Sequence, residues 1–476
     1  MSEPYDRGMS APQSPTGPVD PPPAPVLDTP PTPDPPVPPA PEPQWSSAQK
    51  LAFRLLFVIG GGIVLLSIFG NVGVAVLWYF TGLWWVLAQI GSYLARGEGV
   101  DVYLSNVGDL AWNWYWHLGW IVVSLVIVAV WTALDRSRPN YLRLAGLLEA
   151  FARVGLALSM IYYGLVKLIP SQMGFMDLPA HQLQLVGDTS MFTVLWGFMG
   201  ASTPYSMATG FVELTAGLLL LWRRTYLLGL LVALVATTQV FLLNLFYDVP
   251  VKLVSGELVI VTVALLARYA PNLLRVALNR GGAEPVLPLP LPGPRRLRTV
   301  GVVATFIAAG LIFATGVLQG VLVVTVVNTV RSPLDGEWRA TSVTVDGAPA
   351  TLTQRDPAPW ANLAITMRGK DSPGFKELSA AYDSMVTQTA AGYTTVWDLT
   401  VDNDVLEMRK KKDDPPLRVT ARLEGDRLHL TATIDGKRVE GVYERRFMER
   451  ERSHFRLIQP DKGASGTDSS SDQGGS

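Results

Sequence analysis

The sequence predicts an α-helical membrane protein with seven transmembrane helices, followed by a C-terminal domain folded as an antiparallel β-barrel. Apolar residues make up 49% of the 476 residues and charged residues only 17%, a composition typical of a chain that lies largely in lipid. Several apolar runs reach the roughly 20 residues that a helix needs to cross a bilayer. After residue 417 apolar and polar residues alternate, which is the period of a β-strand.

Changes in composition divide the chain into segments. Residues 1–47 are dominated by Pro and hold almost no bulky apolar side chains, so they cannot offset the entropy of ordering. The predicted segments are a disordered Pro-rich cytoplasmic tail (1–47), N-terminal transmembrane helices with an aromatic outer loop (48–140), a core helix bundle (141–280), a cytoplasmic Pro/Arg linker (281–297), a last transmembrane helix (298–330), an extracytoplasmic β-barrel (331–459) and a disordered tail (460–476).

Uninterrupted apolar runs place the membrane helices. These runs lie near 51–70, 117–134, 148–169, 205–222, 226–247, 251–270 and 299–328. A further apolar stretch, 72–95, contains clusters of Trp and Tyr. That composition suits an interfacial or re-entrant helix as well as an eighth span.

The arginines indicate which loops are cytoplasmic, because loops on that side carry an excess of Lys and Arg. They are concentrated in alternate loops, at Arg136, Arg138 and Arg143, at Arg223 and Arg224, and at Arg275, Arg280, Arg295, Arg296 and Arg298. The intervening loops carry only Arg96 and Lys252. With seven spans, all the arginine-rich loops lie on the cytoplasmic side and the other loops lie outside. A further span at 72–95 would place some arginine-rich loops on the wrong side. We therefore predict a multi-pass protein of the bacterial inner (plasma) membrane, with a cytoplasmic N-terminus and a barrel outside.

The C-terminal strands are predicted from alternation and turn residues. "LRVTARLEGDRLHLTATIDGKRVEGVYERRF" places apolar residues on one face, and "EGD" and "DGK" supply hairpin turns. With the strands before it, this gives enough short strands to close a small barrel. The Gly336-Glu337-Trp338 opening and the Arg445–Arg446 pair of the last strand resemble those of lipocalin-like barrels. The interior of such a barrel either holds a small apolar ligand or is filled by its own side chains.

Three of the ionisable residues within the helices of the core point to a functional site. Tyr163 and Lys167 are spaced i, i+4 in "YYGLVKLIP", so they share one helix face. Glu213 lies near the middle of the run "TGFVELTAGLLLL". A carboxylate at that depth costs a few kcal/mol unless it faces the bundle interior, which makes it a candidate for a functional site.

Three further polar residues surround the turn "NLFYDVPVK". Asn244 and Asp248 are one helical turn apart and share a face. Pro250 has no amide hydrogen and disfavours helix for the residue before it, so the segment reverses tightly and sets Lys252 close to Asp248. We expect Asn244, Asp248 and Lys252 to join Tyr163, Lys167 and Glu213 around one outward-opening pocket.

Together, "YYGLVKLIP", "GFVELTAGLLLLWRRT" and "NLFYDVPVKL" resemble the helices of the DoxX-like membrane proteins, over residues 141–272. That family consists of four-helix units and includes subunits of thiosulfate:quinone oxidoreductases. The resemblance implies a four-helix DoxX-like core with a polar cavity, to which Tyr163, Lys167 and Glu213 contribute as catalytic residues. It also implies redox chemistry. Because this chain has no Cys, a partner or a bound quinone has to carry that chemistry.

Several classes of function are excluded or disfavoured. Without Cys the chain forms no disulfide, thiolate or iron–sulfur site of its own. The four His lack metal-ligand spacing, so no metal or haem is expected. The net charge of −1 offers no field for nucleic acid. Motifs for a nucleophile elbow, a P-loop or a dinucleotide site do not occur.

Different functions fit these observations. The first is a redox component that interacts with a quinone or another lipid-soluble carrier, with Glu213 exchanging a proton and Tyr163 or Lys167 contacting a carbonyl oxygen. The alternative is a non-enzymatic binding, transport or sensor protein whose barrel binds an apolar ligand. A third is a structural anchor. The expected partners are the lipid bilayer and a membrane or extracytoplasmic redox protein, while catalysis and oligomeric state stay open.

Overall fold

The computed structural model describes residues 43–105, 107–350, 352, 360–372 and 375–448. The predicted disordered tail at 460–476, and all but the last residues of the one at 1–47, lie outside the described residues. In the described part, a helical bundle precedes a β-sheet domain. The end of the bundle at which the last long helix leads into the first strand, at residues 328–336, is called the barrel end below.

The helices include long apolar ones. They are α1 (Ser47–Ile68), α2 (Gly70–Phe80), α3 (Leu83–Arg96), α4 (Ala111–Leu134), α5 (Leu142–Leu168), α6 (Met191–Ala201), α7 (Thr203–Leu221), α8 (Tyr226–Phe246), α9 (Lys252–Leu266), α10 (Ala270–Ala277), α11 (Arg295–Asn328) and, inside the sheet domain, α12 (Lys376–Ala380). Within the described residues, six of them are long and apolar enough to cross a membrane, namely α1, α4, α5, α7, α8 and α11. The structure therefore has the helices of a membrane protein, as predicted.

Two pairs of helices are sharply bent. α2 and α3 meet at 85°, and α9 and α10 meet at 78°. The stretch that was ambiguous in the sequence, 72–95, corresponds to the first pair. Its helix is broken because Gly73 and Gly82 adopt positive φ angles of 122° and 71°, which a residue with a Cβ rarely adopts. The run near 251–270 corresponds to the second pair, whose first helix has only 15 residues.

Glycines let neighbouring helices approach to backbone contact. A Cβ atom on Gly164 of α5 would lie 2.4 Å from the backbone nitrogen of Leu214 on α7. Gly210 of α7 faces α5 in the same way, and Gly91 and Gly119 do so between α3 and α4. Small residues at helix contacts are typical of membrane bundles, where close packing drives association. The α5–α7 contact fixes the relative position of the polar residues on these two helices.

The β-sheet domain is a closed antiparallel barrel of eight strands with one added two-residue strand. Its strands are β1 (Gly336–Val345), β2 (Ala348–Pro349), β3 (Asn362–Thr366), β4 (Ser384–Gln388), β5 (Thr394–Asp402), β6 (Val405–Arg409), β7 (Leu417–Glu424), β8 (Arg427–Ile434) and β9 (Lys437–Arg446). Each strand from β3 onward pairs with the next, and β9 pairs back with β1 from Glu337–Arg446 to Val345–Val439. Among the described residues, β2 pairs with the end of β1 alone. The predicted barrel is confirmed.

The barrel interior is filled by its own side chains. Trp338, Met385, Leu406 and Leu428 are at most 1% exposed and belong to one apolar cluster. The guanidinium of Arg445 lies 4.5 Å from the centroid of the Trp338 ring and donates to two carbonyl oxygens of the segment before β1. The conspicuous Trp and Arg of the sequence thus close one end of the packed core.

The loop between α5 and α6 attaches the barrel to the bundle. Gln388 of β4 donates its side-chain amide to the carbonyl oxygen of Leu183 at 2.6 Å. Leu183 also packs against Ala364 and Val386 on the outer face of β3 and β4. Both barrel residues are at most 3% exposed, which shows how completely the loop covers that face.

Candidate functional site

A cavity of about 80 Å³ lies among α5, α7, α8 and α9, toward the barrel end. α6 and the segment after α5 complete its wall. Much of that wall is apolar, with Trp196 and several Met, Leu and Val side chains. The ionisable and amide side chains in the wall are those of Tyr163, Lys167, Gln172, Glu213 and Asn244. A space of this size takes several water molecules or a small ring.

Lys167 and Glu213 form a buried ion pair at the cavity wall. Lys167 Nζ donates to Glu213 Oε2 at 2.8 Å, and their side chains are only 9% and 4% exposed. The close α5–α7 contact through Gly164 explains how the last turn of α5 reaches the middle of α7. Each charge satisfies the other, so neither is left uncompensated in a region of low dielectric.

Tyr163 extends the polar wall one turn away from Lys167. Its hydroxyl donates to Oδ1 of Asn71, and Lys167 Nζ lies 5.7 Å from the centroid of its ring. Asn71 reaches this position because the chain leaves helical geometry at Val72 and Gly73. Since its proton is given to Asn71, the Tyr163 hydroxyl faces the cavity as an acceptor.

Gln172 brings an unsatisfied acceptor to the cavity. Its Oε1 atom is buried and has no hydrogen-bond partner among the described residues. A buried oxygen left without a donor costs free energy, on the order of 1–3 kcal/mol. Asn244, 7% exposed, adds an amide on the opposite wall, contributed by α8. The cavity therefore offers both a cation and unpaired polar atoms to an occupant.

Comparisons with known proteins give one relationship. No family model matches the chain, and no solved structure matches it. The uncharacterized protein YwoB of Bacillus subtilis (strain 168) is 31% identical over 119 residues, which cover 25% of this chain and 75% of YwoB. The chain belongs to the same family as YwoB. As that protein is described as uncharacterized, the relationship supplies no activity.

The remaining two predicted site residues of this YwoB relative lie away from the cavity wall. Lys252 Nζ lies 2.8 Å from Asp248 Oδ1 and 3.5 Å from Asp109 Oδ2. This confirms that the turn through Pro250 brings Lys252 to Asp248. The Asp248 side chain is 84% exposed, and Asp109 caps the first amides of α9. The geometry gives Asp248 and Lys252 a role in pinning the α8–α9 hairpin, and their role in ligand binding stays a prediction.

Two polar members of this site, Asn71 and Gln172, were not predicted from the sequence. Asn71 directly follows an apolar run and lies just before 72–95, the stretch whose conformation was ambiguous. Gln172 follows Pro170 just after the end of α5, where a polar residue is ordinary. The break of α2 at Gly73 brings Asn71 to the hydroxyl of Tyr163, and the fold of the segment after α5 brings Gln172 to the cavity wall. In the described ranges, no three His, Cys, Asp or Glu side chains are grouped so that they could hold a metal ion.

Proposed function

We propose that this chain is a DoxX-like redox component of the bacterial inner (plasma) membrane, whose cavity binds the ring of a quinone or a similar lipid-soluble carrier. The observation that carries the proposal is the buried Lys167–Glu213 pair in the wall of a largely apolar cavity. Binding sites of this kind are mostly apolar, with a few polar groups that fix orientation.

The topology in this proposal has seven crossings. α9 begins at Lys252, which Asp109 holds at the barrel end. Two residues after its end at Leu266, Arg268 pairs with Glu149 near the start of α5. These contacts connect the two ends of the bundle, so α9 counts as a span and α10 lies along the far surface. The arginine-rich loops at the end of the bundle opposite the barrel end then lie in the cytoplasm, as expected from the excess of Lys and Arg in cytoplasmic loops.

The α2–α3 pair does not cross in this topology. α2 begins beside α5, where Asn71 meets Tyr163. α3 returns along α4 and ends with Arg96 over the ring of Tyr115, near the start of α4. Both ends of the pair therefore lie toward the barrel end, as expected for a re-entrant or interfacial element. The α5, α7, α8 and α9 helices form the four-helix DoxX-like core.

The residues present fit the head group of a quinone. Such a ring is apolar on its faces and carries carbonyl oxygens at its edge. Lys167 has three N–H donors, of which one is given to Glu213, so it can donate to a carbonyl oxygen in the cavity. Gln172 can pair with a hydroxyl of the reduced ring through its unpartnered Oε1. A bound quinone supplies the two-electron redox chemistry that this Cys-free chain lacks.

The chain's own residues hold the ring and provide for its protons. Lys167 orients an oxygen toward the α5–α7 contact, and Glu213 keeps the ammonium in place. The proton shared by Lys167 and Glu213 lies at the cavity wall, where it can be exchanged with a ring oxygen. Tyr163, whose proton is given to Asn71, positions Lys167 and does not donate. The packed interior of the barrel gives no comparable support to the alternative in which the barrel binds the ligand.

The test is the quinone content of the purified protein. The full chain is purified in mild detergent, extracted with organic solvent, and the extract is analysed by mass spectrometry for quinones. We expect quinone with the wild type and its loss in Glu213→Gln. Asp248→Asn is the matched control, since it removes an exposed carboxylate that also pairs with a lysine at 2.8 Å.

A second variant separates binding from folding. Gln172→Met removes the unpartnered oxygen and leaves the Lys167–Glu213 pair intact, so the bundle should remain folded. Titration of the stripped protein with a short-chain quinone should give weaker binding in Gln172→Met than in the wild type. If the wild type neither retains nor binds quinone, or if Glu213→Gln and Gln172→Met bind it as the wild type does, the proposal is wrong.

A further inference from the structure

A second ionisable pair lies inside the bundle, on the side of α9 that faces α4. His117 Nε2 of α4 and Glu257 Oε1 of α9 are 2.6 Å apart. Their side chains are only 14% and 10% exposed. Ionisable side chains in such positions are rare in membrane helices and mark proton relays or ligand sites. Neither residue lines the cavity described above, so far as the chain is described.

The contacts of His117 determine how many protons the pair holds. His117 Nδ1 lies 2.6 Å from the carbonyl oxygen of Asn113. A carbonyl oxygen only accepts, so Nδ1 carries a hydrogen. The 2.6 Å contact between Nε2 and Glu257 Oε1 then requires one more proton between them. Without it, a nitrogen lone pair would face a carboxylate oxygen. The pair is either an imidazolium with a carboxylate or a neutral imidazole with a carboxylic acid.

Glu257 also has room for a second proton. Its other oxygen, Oε2, is buried and has no hydrogen-bond partner among the described residues. A buried carboxylate oxygen without a donor is costly, and its free lone pairs make Oε2 the atom at which the pair can take up a second proton. The ring of Trp116, stacked on His117 with centroids 3.6 Å apart, covers one face of the imidazole and stabilises a positive charge on it.

The other charged groups of the surrounding helices have their own partners. On α9 itself, Lys252 is held by Asp109 and Asp248. α4 and α8 contain no Asp, Glu, Lys or Arg. On α3, Arg96 pairs with Glu98 and lies over the ring of Tyr115. On α5, Lys167 pairs with Glu213 and lies over the ring of Tyr163. On α1, Arg54 donates to the hydroxyl of Tyr141. The charge of the His117–Glu257 pair is therefore set by its own proton count.

We propose that His117 and Glu257 form a proton-exchange site of this protein. In the resting pair one proton lies between Nε2 and Oε1, and the net charge is zero. An incoming proton binds Glu257 Oε2, the bridging proton stays on His117, and the net charge becomes +1. Loss of that proton restores the resting pair. The pair exchanges this proton whether or not the cavity is occupied.

The test follows both residues through a pH titration of the wild-type protein in detergent. Nitrogen NMR of histidine-labelled protein reports the His117 ring, assigned by the signal lost in His117→Asn. Infrared spectroscopy reports the carbonyl stretch of a protonated Glu257, assigned by its loss in Glu257→Gln. Between about pH 4 and about pH 8, we expect both signals to change with one shared midpoint, as coupled groups do.

Two comparisons make the result decisive. Glu257→Gln keeps a donor for Nε2 and should therefore fold, yet it should shift the midpoint of His117. His429 on the barrel provides the internal reference, because its contact with Glu424 is 3.7 Å long and exposed; its midpoint should be the same in both proteins. The proposal fails if the His117 midpoint is unchanged in Glu257→Gln, if the two signals titrate separately, or if neither changes while His429 titrates.

Discussion

The buried Lys167–Glu213 pair should contribute far more to stability than the Lys252–Asp248 pair, although both N···O distances are 2.8 Å. The difference lies in solvation. Glu213 is 4% exposed and Asp248 is 84% exposed. Removing one partner of a buried pair leaves an uncompensated charge and costs about 3–5 kcal/mol. Removing one partner of an exposed pair costs about 0–1 kcal/mol.

The two single replacements within the buried pair should also differ. Lys167→Met leaves Glu213 near the middle of α7 with no cation, so the full penalty of about 3–5 kcal/mol is expected. Glu213→Leu leaves Lys167 on the last turn of α5. Its long side chain can turn toward the water at the helix end, so the cost should be smaller. The double variant should recover much of the loss, because no buried charge remains.

The assay is unfolding in mixed detergent micelles, followed by Trp fluorescence and circular dichroism. The wild type, Lys167→Met, Glu213→Leu and the double variant form one double-mutant cycle, and Asp248→Asn is the exposed control. An interaction energy above about 1 kcal/mol is expected for the buried pair. If Lys167→Met and Asp248→Asn cost the same, or if the effects of the two core variants simply add, the reasoning from burial is refuted.

Three further predictions concern packing, pH and the barrel. Gly164→Ala places a methyl group 2.4 Å from a backbone nitrogen of α7 and should destabilise the bundle by about 1–3 kcal/mol. Gly310→Ala, which meets no atom within 4 Å, should be neutral or stabilising in the same unfolding assay, and equal losses would contradict the packing argument. Burial lowers the pKa of His181 in the loop under the barrel, so its contribution to stability is complete above about pH 6.5 and is lost as the pH falls below that value. In His181→Gln, the hydrogen-exchange protection factors of this loop should depend less on pH than in the wild type, and an unchanged pH dependence would contradict this prediction. Arg445→Lys loses the two hydrogen bonds to the carbonyl oxygens of Asp335 and Pro333 and the stacking of the guanidinium on the Trp338 ring. The barrel should therefore unfold at a lower temperature. Arg446→Lys is the control. If it lowers the unfolding temperature as much as Arg445→Lys does, the contacts of Arg445 are not the cause.

The sequence carried the parts of the site that depend on local patterns. Tyr163 and Lys167 were found through helical spacing, and Glu213 through its position in an apolar run. The barrel followed from alternation and hairpin turns, which are local signals as well. Asn71 could not be found in this way, because its position depends on the break at Gly73, and an apolar stretch rich in Trp does not reveal where it bends.

The His117–Glu257 pair could not be found either, for a different reason. Its residues are 140 positions apart, and nothing in a single sequence says that α4 packs beside α9. Glu257 lies five residues after Lys252, close to the spacing of an ordinary pair on one helix. The structure assigns Lys252 to Asp109 and Asp248, which leaves Glu257 for a histidine on another helix.

Glu213 and Glu257, both buried in the described part of the bundle, differ in chemistry because their partners differ. Glu213 faces the ammonium of Lys167, and the two side chains form part of the cavity wall. Glu257 faces an imidazole, which exchanges protons near neutral pH. α9 lies between the two sites, since Ser255 and Leu258 line the cavity while Glu257 faces α4. A change in the charge of the His117–Glu257 pair therefore acts on a helix that forms one wall of the cavity. For the quinone site that we propose, affinity should depend on pH in the wild type, and the midpoint of that dependence should shift in Glu257→Gln as the midpoint of His117 does.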